Sequence, residues 1–203
     1  MTPSGASTAQ TAARVATLVS IFTRQPILAV PVFLAVGYAA GAPDPTPTLA
    51  WATACLLATT VLPLIYLLYL RRSGSVRDDA NIQRTERTGP LLVVSAFWFV
   101  VFVFFALLGL PEFLRATFLA YLLVPPAFSL LTRYTNPSLH AAGAAWAAVV
   151  FVNAFGVWGL FAAVLLPLTW WSRLALQRHT RKELLIGTVV SAVFTQAAFI
   201  LGA

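Results

Sequence analysis

The sequence predicts an all-α protein, a polytopic membrane helix bundle of six to seven spans preceded by an N-terminal amphipathic helix. Three observations predict it. Hydrophobic residues make up 60% of the 203 residues, charged residues only 9%, and the mean hydropathy is +0.85, whereas a soluble domain carries about a quarter charged residues. The apolar residues fall into runs long enough to cross a bilayer. The basic residues gather in the short polar stretches between those runs, which ties the net charge of +7 to topology and argues against a nucleic-acid partner.

Residues 1 to 9 are small and polar and read as a frayed end. From Thr11 to Thr23, Val15, Leu18, Val19 and Phe22 recur at helical spacing beside Arg14 and Arg24, the pattern of an amphipathic helix lying along a membrane surface. Pro26 ends it. The apolar run of 16 residues from 26 to 41 spans about 24 Å as a helix, short for a hydrocarbon core of roughly 30 Å, so it borrows a turn from what precedes it. A secretory signal is the rival reading of this run, since AVGYAAGA has the small residues of a cleavage site.

GAPDPTPT cannot continue a helix. A second span runs from Leu49 to Leu70, followed by the longest polar stretch, RRSGSVRDDANIQRTERTGP. Pro90 to Leu110 form a third span, and Leu114 to Leu131 a fourth, bent at Pro125 and Pro126. After RYTNPS come a fifth span, His140 to Phe155, and a sixth, Val157 to Trp171, both with small residues suited to close helix packing. Leu184 to Leu201 supply the seventh. No internal repeat is visible, and residues 1–203 read as a single membrane-embedded domain. Cys55, the one cysteine, lies inside an apolar run and reads as a small packing residue.

Counting spans puts the polar stretches 71–89, 133–139 and 172–183 on one side of the membrane. Of the 13 lysines and arginines, 12 lie on that side or in the N-terminal segment that shares it, and only Arg115 lies opposite. The positive-inside rule makes that side cytoplasmic, and the bias survives removal of the arginines with a chemical role of their own.

Both histidines of the chain fall on this same side, each in a distinctive string. In SRLALQRHTRKE, residues 172 to 183, a turn between two helices brings Arg173 and His179 toward one anion. Glu183, four residues beyond His179, shares its helical face and can fix the ring's tautomer. TRKE is also a capping box, so Glu183 has a purely structural reading. In NPSLHAAG, residues 136 to 143, Ser138 reads as an N-cap or as part of an anion site beside His140. In the polar stretch before the third span, Arg84 and Arg87 lie one turn apart ahead of Pro90, a pair of guanidinium forks suited to phosphate oxygens.

These strings resemble the three signatures of the type 2 phosphatidic acid phosphatase superfamily of membrane lipid phosphatases. The third, SRxxxxxHxxxD, is matched at Ser172, Arg173 and His179, with Glu183 where aspartate is expected. The second, PSGH, is matched at Pro137, Ser138 and His140, with Leu139 in place of glycine. The first, KxxxxxxRP, is divergent. Arg77 and Arg84 have its spacing but Thr85 stands at the proline, and the Arg84–Arg87 pair is the preferred match.

The resemblance, covering about residues 77 to 187, implies hydrolysis of a lipid phosphate or diphosphate without a metal or other cofactor. His179 would attack phosphorus, His140 would protonate the leaving oxygen and then activate water, and Glu183 would orient His179. Arg84, Arg87, Arg173 and Ser138 would hold the equatorial oxygens. The expected partners are a phosphorylated lipid, isoprenoid favoured over glycerolipid, and the surrounding lipids, at the cytoplasmic face of the cell's inner (plasma) membrane. The alternatives are an inactive phosphatase-like protein that binds lipid or a partner, and a prenyltransferase-like enzyme using Asp78 and Asp79. The latter lacks a second aspartate cluster in the sequence to share magnesium.

Overall fold

A computed structural model describes residues 3–75 and 84–202, with side chains described for 10–75 and 88–202. The described residues form helices and no strand, in the order α1 (Pro3–Phe22), α2 (Gln25–Ala40), α3 (Thr46–Arg72), α4 (Arg84–Leu107), α5 (Glu112–Leu131), α6 (Leu139–Phe155), a 3-10 arm (Gly156–Val164), α7 (Leu165–Ala175) and α8 (Arg181–Gly202). The protein is an all-α helical bundle. Five helical stretches are long and apolar enough to cross a membrane, six when α1 and α2, bent 52° to each other, count as one path.

By length and composition five or six stretches qualify against the six to seven spans expected, and the difference lies in two places. The run from 26 to 41 forms α2, 16 residues long, which qualifies only when taken together with α1. The fifth and sixth spans join in one helical stretch, Leu139–Ala175, of 37 residues. As a straight rod it would be about 55 Å long, yet its two ends lie together, since the side chains of His140 and Arg173 both reach Ser20 Oγ. The reversal falls at Gly156, whose φ of 59° and ψ of −132° suit a residue without a Cβ. The 3-10 arm and α7 then run back along α6.

One further boundary moves. α4 starts at Arg84, so Pro90 lies inside the helix and not at its head. α5 continues unbroken through Pro125 and Pro126.

Packing is centred on aromatic side chains from four helices. Tyr121 of α5 packs edge-on against Trp98 of α4 and Trp146 of α6, with centroids 5.0 and 4.8 Å away, and Phe33 of α2 closes the group. Each polar tip finds a backbone acceptor: Trp98 Nε1 donates to Ala58 O, Trp146 Nε1 to Thr117 O and Tyr121 Oη to Gln25 O. In a bilayer, where unpaired donors are costly, such bonds fix helix register.

α1 is amphipathic, but its packed face is the small and polar one. Ala16, Ser20 and Thr23 are buried while Val15, Leu18, Ile21 and Phe22 are exposed. That inversion suits a lipid environment, because acyl chains are as apolar as leucine and helix contacts favour small residues.

Candidate functional site at the polar end of the bundle

The site is built where α1 turns into α2, α6 begins, and α7 passes into α8. The α7–α8 connection is a Schellman turn: Arg178 N donates to Arg173 O and Gln177 N to Leu174 O, both at 3.0 Å. Gln177 takes the left-handed position at φ 53°, where a side chain costs about 1 kcal/mol. Thr180 then caps α8. Thr180 N donates to Glu183 Oε2 at 2.8 Å and Glu183 N to Thr180 Oγ1 at 3.3 Å, the reciprocal pair of a capping box. This tight passage joins the end of α7, which carries Arg173, to His179 just before α8. Arg173 is 5% and His179 9% exposed.

Glu183 completes the capping box, and its carboxylate also lies near His179. The oxygen that caps Thr180 also lies 3.4 Å from His179 Nδ1, within ion-pair reach of a protonated ring. The carboxylate thus faces Nδ1.

The two histidine-bearing strings are joined directly. Ser138 N donates to the Glu183 carbonyl at 3.2 Å, and Gly187, one turn further along α8, lies flush against the Ser138 backbone. Ser191 Oγ adds a bond to Ala142 O at 2.8 Å. Ser138 itself is fully buried and caps α6, its Oγ accepting from Ala141 N at 3.4 Å. Its side chain thus faces its own helix.

His140, half-buried in the first turn of α6, has Nε2 3.4 Å from Ser20 Oγ. Ser20 Oγ in turn accepts from Arg173 Nη1 at 2.9 Å. Ser172 Oγ, pointing to the same helix, donates to Ala16 O at 2.6 Å. Arg173, Arg24 and His179 are all close enough to act on the charge of His140. The sequence reading missed Ser20 and Arg24, and its stripe of valines and leucines pointed to the opposite face of α1.

Arg84 and Arg87 form the first turn of α4, and their side chains lie outside the described residues, as do Arg77, Asp78 and Asp79. Leu91, one turn after Arg87, packs in the same cluster as Leu139 beside His140, so this helix begins at the site's end of the bundle. Arg115 stands at the far end, donating to the carbonyl of Gly202 at 3.2 Å. Among the described residues, no three His, Cys, Asp or Glu side chains come together as metal ligands.

Compared with models of protein families, with curated proteins and with solved structures, the chain matches none.

Proposed function

We propose that the protein is a lipid phosphatase that hydrolyses a phosphorylated lipid, with an isoprenoid phosphate or diphosphate favoured, through a phosphohistidine at His179. One observation carries the reading. Two strings some forty residues apart, each resembling a signature of the same superfamily, are bonded backbone to backbone through Ser138 N and Glu183 O. Chance matches have no reason to share a site.

With Nδ1 turned to Glu183, Nε2 of His179 is the nitrogen left to attack phosphorus. The bond from phosphorus to the lipid oxygen breaks as His140 gives that oxygen a proton. His140 then takes a proton from water, whose oxygen attacks the phosphohistidine and releases inorganic phosphate. Arg173, with Arg84 and Arg87 at the head of α4, stabilises the charge on the equatorial oxygens. Glu183 steadies the ring as it gains positive charge.

The placement of 12 of 13 basic residues on the polar side supports a cytoplasmic site, and the membrane we propose is the plasma membrane. Isoprenoid diphosphates are made on that side, and the chain carries no sizeable polar domain for reading a headgroup.

The test is phosphate release by purified protein from a panel of prenyl and glycerolipid phosphates. Activity should survive chelation, be inhibited by vanadate, which mimics five-coordinate phosphorus, and vanish in His179→Ala. Activity lost in EDTA and restored by magnesium would favour the prenyltransferase-like site, and no turnover of any substrate would favour the inactive binding protein.

A further inference from the structure

Ser20 belongs to none of the strings that resemble a signature, yet its hydroxyl is the point where two of them meet. It comes from α1, is 8% exposed, and lies between Arg173 Nη1 at 2.9 Å and His140 Nε2 at 3.4 Å. A hydroxyl has one proton to give and two lone pairs to receive. Arg173, which can only donate, occupies one lone pair.

With Nε2 of His140 bare, Ser20 gives its proton to that nitrogen. With Nε2 protonated, the ring gives its N–H to the second lone pair, and the Ser20 proton turns away, toward an anion oxygen seated on Arg173. Both arrangements satisfy every group. A methyl group at this position would hold the ring in neither.

We infer that Ser20 is a positioning residue for His140, holding Nε2 against Arg173 whether or not that nitrogen carries a proton, so that Nδ1 is the nitrogen left to exchange a proton with the leaving oxygen and with water. The inference rests on the phosphatase reading above. It makes the N-terminal helix a working part of the site. Around His140, Arg24 at the α1–α2 corner, Arg173 of α7 and His179 before α8 supply the surrounding charge. Docking of α1 has its own bond, Ser172 Oγ to Ala16 O, so loss of the Ser20 hydroxyl leaves the helix tethered.

The experiment uses leaving groups. A prenyl phosphate needs a proton on its departing oxygen, whereas p-nitrophenyl phosphate departs readily without one, and kcat/KM reports the step in which that bond breaks. In Ser20→Ala, kcat/KM for the prenyl phosphate should fall by at least about tenfold more than for the aryl phosphate, part of the ~10²–10⁴ that general acid catalysis contributes. Ser20→Thr, which keeps the hydroxyl, should recover most of the difference. Equal losses on both substrates, or a threonine variant no better than alanine, would overturn the positioning role while leaving the phosphatase reading intact. Wild-type protein inactive on the aryl phosphate and on every prenyl and glycerolipid phosphate would overturn the two together.

Discussion

Gly187→Ala tests whether the contact between α6 and α8 sets the geometry of the site. A Cβ built on Gly187 would stand 2.6 Å from Ser138 O, 3.1 Å from Ser138 N and 3.3 Å from Ser138 C. Ordinary van der Waals contact for a Cβ begins at 3.4 Å, and these neighbours are backbone, which cannot swing aside. The shortfall against the carbonyl means that α8 must retreat by about 0.8 Å at this point. Overpacking of this kind costs about 1–3 kcal/mol. A misplacement of about 1 Å between reacting groups costs on the order of 10²-fold in rate.

The sign is informative, because alanine in an unconstrained helix is better than glycine by about 1 kcal/mol. Gly187→Ala should therefore melt at a lower temperature in detergent and turn over a prenyl phosphate about 100-fold more slowly, with the retreat separating the Ser138–His140 segment from Glu183 and His179. Gly89→Ala, where a Cβ meets nothing within 4 Å, should be neutral or stabilising. If Gly187→Ala melts at or above the wild-type temperature and keeps full turnover, the close approach of α8 to Ser138 is not what aligns the histidines.

Glu183→Gln keeps an oxygen for Thr180 N and removes the charge facing His179 Nδ1. It should leave melting unchanged and lower kcat by on the order of 10²-fold or more, and near-normal turnover would reduce Glu183 to a helix cap. On sidedness, Ser75→Cys in a Cys55→Ser background should resist a membrane-impermeant thiol reagent in intact cells and react after permeabilisation. Labelling in intact cells would reverse the orientation.

The bundle was legible in the sequence because a bilayer imposes a length on apolar runs. α3, α5 and α8 begin and end within about three residues of where the runs do, inside the usual uncertainty of helix ends. The boundary read between Phe155 and Val157 coincides with the reversal at Gly156. The packing of α1 was not legible, since helical spacing of apolar residues identifies the packed face only when water is the alternative. Beside lipid, Leu18 and Phe22 stay outside and Ala16 and Ser20 go in. Ser20 escaped notice for the same reason, and because the bonds that give it meaning reach residues more than a hundred positions away. The two readings of Glu183 could not be separated by sequence because they do not exclude each other. One oxygen caps Thr180 and faces His179.

Structural duties explain several residues that the resemblance assigns to catalysis. Ser138 caps α6, Ser172 docks α1, and Thr180 with Glu183 starts α8. These would persist in a protein that had lost turnover. They do not explain why Arg173 and His179 are nearly buried at the end of an apolar bundle, or why Arg173 and His140 share one hydroxyl. Ionisable groups are costly in such surroundings, and an alanine or leucine would fill the space at no such cost. A guanidinium and two imidazoles together suit an anion that must be held and a proton that must move. The case for a phosphatase therefore rests on Arg173, His140 and His179, and the serines and the glutamate count as the frame that holds them.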